Sequence, residues 1–321
     1  MTSINSPRHL GKSDLKISPI GLGCWQFSKR NNLAGKFWPD LDDKVIREIV
    51  QVSLDMGVNW FDTAEMYGNG ASELALSGAL QHAGKKPGDI IVATKWLPLF
   101  RFAANIIKTI DKRIEALNPF PIDLYQVHQP YGFSSVREEM KKMAELVKEQ
   151  KIRHVGVSNF SEKQMRKAAE ELDKHGLSLV SNQVRYSLLN RKIEKNGVLE
   201  TAKKLGITII AYSPLAQGIL SGKFHDNPEL LKNIGLRKNS ASFKPEGMKK
   251  SQPVIDLLKE LGVKYQVSPA QIALNWTIHV HGNTVVAIPG ATKVLQAKEN
   301  AGAMKFKLAE EEIQELSGIY V

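Results

Sequence analysis

The chain has 321 residues, 42% hydrophobic and 24% charged, a balance that excludes a disordered, collagen-like or coiled-coil protein. A single cysteine, Cys24, excludes an intrachain disulfide and a cysteine-based zinc site. The formal net charge is +11, but the basic residues fall in scattered pairs such as Lys85-Lys86 and Lys141-Lys142, often beside acids at helical spacing, which reads as solvated helix faces rather than a polyanion-binding surface.

Short apolar runs alternate with longer segments of helical periodicity. The runs are Ile17–Leu22, Val58–Phe61, Ile90–Ala93, Leu124–Val127, His154–Val157, Val180–Val184, Ile207–Ala211 and Thr284–Ile288. The helical segments are Asp42–Met56, Ser72–His82, Ala103–Leu117, Ser134–Glu149, Ser161–His175, Ile193–Lys204, Gln252–Tyr265 and Lys293–Ala301. Ser161 with Gln164 reads as a capping box, and Ser268-Pro269 as the start of a further helix through Trp276. Gly57, Gly176 and Gly206 stand where helix C-caps belong.

Eight strand–helix units without a dividing linker predict one α/β domain over 1–321, a (β/α)8 TIM barrel. His9–Ser18 predicts an N-terminal hairpin, and Ala309–Leu316 an added C-terminal helix. The long connection Lys223–Ser251 is a candidate functional or disordered loop. The first residues lack an apolar stretch of signal-peptide length, and no window reaches the about 18–20 apolar residues of a membrane span. We therefore expect a cytoplasmic protein with no membrane partner.

The polar residues gather at the strand ends. Asp62 ends the second strand, Lys95 the third, His128 the fourth, and Ser158-Asn159 the fifth. Gln183 lies on the sixth, Tyr212-Ser213 follow the seventh, and Pro289-Gly290 the eighth. In a parallel barrel these positions converge on one rim. Singly, each has a structural reading: Asp62 as a helix cap, Lys95 as a surface lysine, His128 as a turn histidine, Tyr67 as a packing aromatic. Together their roles are complementary. A lysine ammonium beside Tyr67 lowers the phenol's pKa, Asp62 supplies the buried ammonium's counter-charge, and the imidazole orients a carbonyl oxygen. That is a general acid poised over a carbonyl, which suits carbonyl reduction with hydride from a cofactor. His128 and Asp62 alone, with Lys95 between them, do not make a metal site, so we expect no metal.

In Gly21–Trp25, Asn59–Gly68, Thr94-Lys95, Asp123–His128, Val155–Phe160, Asn182–Val184, Ala211–Leu215, Ile288–Gly290 and Glu299-Asn300 the chain resembles the aldo-keto reductase superfamily. The resemblance runs in order from about residue 8 to 317. Gly222-Lys223 and the Ile288–Ala291 segment are similar to its bacterial and plant branches. It implies nicotinamide-dependent reduction of an aldehyde or ketone, with Tyr67 as acid, Lys95 and Asp62 tuning it, and His128 orienting the carbonyl. It further implies that Ser158, Asn159 and Gln183 bond the carboxamide and that Tyr212 stacks on the nicotinamide. Ser213, Pro214, Leu215, Gln217 and Gly218 would follow the pyrophosphate, and Lys223 would reach a phosphate. Gly290, Thr292, Lys293, Gln296, Glu299 and Asn300 would hold the adenosine end, with Gly23 and Trp25 also at the cofactor.

Lys293 stands where this family's 2′-phosphate site commonly has two basic residues, and Gln296 where an Arg is frequent. One cation still favours the phosphate, so NADPH/NADP+ is expected, with NADH as the alternative. Asn31–Asp40 extends the first loop, and its Trp38 with Trp25 and Trp96 is expected to wall the substrate pocket. Cys24 reads as a small buried residue. A small-molecule carbonyl substrate, no nucleic-acid partner, and a monomer or weak homo-oligomer complete the expectation. The rival readings are a cofactor-binding sensor or regulatory subunit with little turnover, a nucleic-acid-associated protein, and a metal-dependent barrel hydrolase.

Overall fold

The computed structural model of the chain describes residues 6–29 and 37–319; residues 31–36 of the predicted first-loop extension lie outside them. Strands β1 (Arg8–His9) and β2 (Lys16–Ile17) pair antiparallel as the predicted hairpin. The apolar run Ile17–Leu22 is therefore divided. Ile17 belongs to the hairpin, and the first barrel strand, β3, is Leu22–Gly23.

The barrel then alternates helix and strand: α1 (Asp43–Asp55), β4 (Trp60–Asp62), α2 (Ala71–His82), β5 (Ile91–Trp96), α3 (Ala104–Leu117), β6 (Leu124–Val127) and α4 (Val136–Lys148). It continues with β7 (His154–Ser158), α5 (Glu162–Asp173), β8 (Leu179–Arg185), α6 (Val198–Leu205) and β9 (Thr208–Tyr212). After the short α7 (Lys223–Asp226) come α8 (Pro245–Tyr265), α9 (Pro269–His279), β10 (Val285–Ala287), α10 (Val294–Gly302) and the added α11 (Glu310–Ile319).

Strands β3 to β10 form one parallel sheet in sequence order. Parallel bridges from Ile20 to Ala287 and from Gly23 to Gly290 bring its two edges together, with Gly21 N–H donating to the Ala287 carbonyl at 2.9 Å. The edges are closed into a barrel, which leaves no strand edge open to pair with another chain. The closing seam is tight: a Cβ on Gly21 would lie 2.3 Å from the buried Trp60 ring.

Side chains along each strand point alternately into the barrel and out to the helices. Trp60, Ala93, Leu124, Ile210 and Val286 form an inner cluster with Leu10, Leu15 and Ile17 of the hairpin segment, which plugs the lower end of the barrel. Phe61, Val92, Tyr125 and Val127 face the other way, into the larger core shared with the helices. Two residues above Trp60, Ala93 and Leu124 come Asp62, Lys95 and Gln126. The two-residue period therefore places those polar groups inside the barrel, near its upper rim.

Local signals in the sequence hold. Ser161 and Gln164 form the reciprocal capping box of α5, and Ser268 with Gln271 caps α9, with Pro269 in its first turn. Gly206 ends α6 at φ 68°. Helix α1 buries Ile46, Ile49, Val50 and Ser53, one stripe at helical spacing. Two boundaries differ. The predicted helix Ile193–Lys204 is a 3-10 turn at Lys192–Glu194 and then α6, divided by Gly197 at φ 81°. Helix α8 begins at Pro245, before the predicted Gln252, and runs through Pro253. The connection before it is folded into α7 and 3-10 turns at Pro228–Asn233, Gly235–Asn239 and Ala241–Phe243.

Candidate active site

The buried ammonium of Lys95 makes three contacts: Asp62 Oδ1 at 2.5 Å, the Thr63 carbonyl at 2.7 Å and the Tyr67 phenol oxygen at 3.5 Å. Asp62 Oδ2 accepts from Gln183 Nε2 at 2.9 Å and Gln126 Nε2 at 3.0 Å. The carboxylate is thus hydrogen-bonded on both oxygens, the condition under which a buried ion pair is tolerated. Burial alone would pull the lysine's pKa down, but Asp62 and the phenol outweigh it and the net direction is up.

Tyr67 moves the opposite way from the expectation. Lys95 does favour its anion, yet burial is the larger effect and Asp62 adds to it, so the phenol's pKa lies above its usual value. His128 stands edge-on to Tyr67, ring centres 5.8 Å apart. Burial, and then the Lys95 charge, holds this imidazole well below its ordinary pKa, so it is neutral at physiological pH. Its Nδ1 is buried without a hydrogen-bond partner. On the other side, Trp25 stacks on Tyr67 at 5.9 Å and on Phe37 at 4.9 Å, and meets Trp38 edge-on.

These groups open into a cavity of about 630 Å³ at the upper rim. Asp62, Tyr67, His128, Gly23, Trp25 and Trp38 line one end with Ser158, Asn159, Gln183 and Tyr212. Asn159, at φ 60°, accepts from the Tyr212 hydroxyl at 3.1 Å and fixes that ring in the wall. Ser213, Pro214, Leu215, Gln217 and Gly218 continue the lining. Positive φ recurs here at Ser213, Ala216 and Gln217, residues with a Cβ that rarely adopt it. Strain of this kind gathers at ligand-binding segments.

Farther along stand Lys223, Arg237, Gly290, Thr292, Gln296, Glu299 and Asn300. Gln296 Oε1 accepts from the Thr292 amide at 2.9 Å, and Asn300 donates to the Gly290 carbonyl at 3.3 Å. Lys293 is the exposed N-cap of α10, outside the cavity lining. Burial, with the like charges of Arg237 and Lys293, pulls the Lys223 pKa down.

A family model described as the aldo/keto reductase family matches residues 19–321. The chain belongs to the aldo/keto reductase family. An uncharacterized oxidoreductase of Mycobacterium bovis is 36% identical over 296 residues, 92% of this chain and 86% of that protein. The glycerol dehydrogenase of Gluconobacter oxydans superposes with a TM-score of 0.85 at 29% identity, covering 99% of this chain and 95% of its own. An aldo-keto reductase of Klebsiella pneumoniae in complex with NADPH superposes with a TM-score of 0.75 at 25% identity, covering 98% and 95%. The chain is accordingly an oxidoreductase.

In this aldo/keto reductase one predicted pocket residue is misplaced. Trp96 does not reach the cavity; it is fully buried in the outer core and donates to Asn105 Oδ1 at 3.0 Å. Lys95 faces into the barrel, so its neighbour on the strand must face out.

Three contributors carried no assigned role in the sequence reading. Gln126 supports Asp62 and lies inside the Asp123–His128 motif, where strand alternation with His128 points it inward. Glu65, two residues before Tyr67, accepts from the Leu97 amide and Arg101, both at 2.6 Å, and from Arg113 at 3.1 Å. It pins the Tyr67 segment to the loop after β5. Arg237, in the long connection, donates to the Gln217 carbonyl at 3.1 Å and stacks over Trp38 at 4.8 Å; no local pattern announces it. Among the described residues there is no group of three or more His, Cys, Asp or Glu that could hold a metal, and no helix long and apolar enough to cross a membrane.

Proposed function

We propose that this chain reduces an aldehyde or ketone to the alcohol with NADP(H), Tyr67 giving the proton. The observation that carries the reading is the Tyr67–Lys95–Asp62 chain with neutral His128 facing the same cavity.

The residues fit a nicotinamide dinucleotide. A tyrosine ring pinned by Asn159 offers a stacking face, and Asn159, Ser158 and Gln183 offer amide and hydroxyl groups to a carboxamide. Buried Gln26 Oε1 and Trp38 Nε1 in the same cavity have no partner, and such groups call for a polar ligand. Repulsion among Lys223, Arg237 and Lys293 is relieved by phosphate. That field, with Lys293 at the start of α10, favours NADP(H) over NAD(H), and the NADPH complex of the Klebsiella relative supports the same choice. When bound, the nicotinamide supplies the hydride.

The protein's part is the proton and the electrostatics. A raised pKa keeps Tyr67 protonated at neutral pH. His128, neutral, donates N–H to the substrate oxygen and aligns it with the phenol. As Tyr67 gives up its proton to that oxygen, the Lys95 ammonium at 3.5 Å stabilises the phenolate. Asp62 holds the ammonium in place, and Trp25 shields the phenol from water.

The test is absorbance at 340 nm with benzaldehyde, NADPH against NADH. Oxidation favouring NADPH supports the reading. Quenching of tryptophan fluorescence by NADPH without turnover of any aldehyde or ketone would replace it with a cofactor-binding sensor.

A further inference from the structure

Gln126 is fully buried inside the barrel. It stands on β6 beside Lys95 of β5 on one side and Gly156 of β7 on the other. A Cβ on Gly156 would lie 3.0 Å from Gln126 Cγ and 2.3 Å from Ser181 Oγ, so the long amide occupies the room that a glycine leaves open. Two residues earlier on the same strand, Leu124 fills the inner cluster with hydrocarbon. An apolar side chain at 126 would serve packing equally well. Burying a primary amide there is costly unless its groups are used.

They are used on one carboxylate. Gln126 Nε2 donates to Asp62 Oδ2 at 3.0 Å, and its Oε1 accepts from Gln183 Nε2 at 3.4 Å. Asp62 already has a donor on each oxygen without Gln126. Oδ1 holds the Lys95 ammonium, and Oδ2 accepts from Gln183 at 2.9 Å. The additional amide therefore acts on the strength of the carboxylate.

The charges around Tyr67 give that amide its leverage. Lys95 favours the phenolate, and Asp62 opposes it. Cys24, Tyr67 and His128 also face this ion pair, and Tyr212 faces Tyr67. All four are neutral at physiological pH, because burial raises the thiol and the phenols and lowers the imidazole. Glu73 of α2 reaches the Lys95 charge too, but it is paired with Arg113 at 2.9 Å. Phenolate stabilisation is thus decided between one cation and one carboxylate. An N–H on the carboxylate draws its charge away from the ammonium, and in a dry site such a bond is stronger than in water.

Building on the reading of Tyr67 as proton donor, we propose that Gln126 is a positioning residue for the acid: its amide partly offsets Asp62, leaving more of the Lys95 charge to the phenolate as the proton departs. Gln126 lies behind the cavity lining and acts through Asp62 and Lys95.

The experiment is single-turnover reduction of benzaldehyde by NADPH, followed at 340 nm, in the wild type, Gln126→Met, Tyr67→Phe and the double variant. Methionine keeps the length and removes the amide, while Gln183 still holds Asp62 Oδ2. In the wild-type background Gln126→Met slows the chemical step by about ten-fold, the worth of a charge-assisted hydrogen bond. In the Tyr67→Phe background, where no phenolate forms, it changes the step by less than about two-fold. NADPH affinity from tryptophan quenching stays within about two-fold. Gln126→Asn, whose amide stops one methylene short of Asp62, gives the same pattern, so the result does not depend on the folding of one variant. An equal loss in both backgrounds assigns Gln126 to packing and overturns the proposal. So does a ten-fold loss of NADPH affinity, which assigns it to the cofactor site. An undiminished step in Gln126→Met beside a slow Tyr67→Phe overturns the proposal and leaves the reductase reading standing. An undiminished step in Tyr67→Phe overturns both.

Discussion

Asp62 and Lys95 stand 2.5 Å apart inside the barrel, both essentially inaccessible to water. Neither charge is tolerable there alone. Removing one partner of such a pair costs about 3–5 kcal/mol, because the other charge is left uncompensated. Lys95→Met should therefore lower the urea midpoint substantially and reduce turnover by about 100-fold or more. The double variant Asp62→Asn/Lys95→Met should regain most of the stability and none of the turnover. Equal stability of the single and double variants would contradict the pairing.

Glu139 sets a pH dependence of stability. Burial, with a smaller push from Glu138, raises its carboxyl to about 8 from the ordinary 4.5. Between these values the unfolded chain has released a proton that the folded chain keeps, so rising pH favours unfolding, at roughly 1.4 kcal/mol per unit. The contribution is complete below pH 4.5 and lost by pH 8. Glu139→Gln should thus gain thermal stability relative to the wild type as pH rises from about 5 to 8. Two melting curves that shift in parallel over that range would count against it.

Arg237 links two loops across the cavity, by its bond to Gln217 and its stacking on Trp38. Arg237→Ala should raise the KM for NADPH by about ten-fold, the worth of a charge-assisted bond, with kcat changed by less than about two-fold. Initial rates at varied cofactor concentration measure both. A fall in kcat alone would place Arg237 outside the cofactor site.

The barrel's seam admits no side chain at Gly21. Its Cβ would press on the Trp60 indole, which is locked by donation to the Ser18 carbonyl at 2.9 Å. Gly21→Ala should cost about 1–3 kcal/mol, several degrees of melting temperature. Gly78→Ala, in α2 with nothing near the new methyl, should gain about 0.5–1 kcal/mol. Calorimetry of the two variants reads opposite shifts if the seam is as tight as its geometry.

What the sequence reveals follows the range of the forces involved. Asp62, Lys95 and His128 are legible because strand ends in a parallel barrel converge whatever the details of packing. The capping box at Ser161 and the helix start at Ser268 are legible because each is satisfied within four residues. Trp96 is misassigned where composition outweighs the two-residue period that turns it away from Lys95. The helix predicted from Gln252 begins earlier, at Pro245, and runs through Pro253. Glu65, Arg101 and Arg113 meet only after folding, across up to 48 positions. Arg237 reaches the cavity from a connection whose path no periodic pattern fixes.

The central claim is that Tyr67 gives the proton while Lys95 and His128 prepare its transfer. The most direct measurement is single-turnover reduction of benzaldehyde by Tyr67→Phe, followed at 340 nm, with NADPH affinity read separately from tryptophan quenching. The account predicts cofactor affinity within about two-fold of the wild type and a chemical step slowed by about 100-fold or more. An undiminished chemical step in the variant would contradict it.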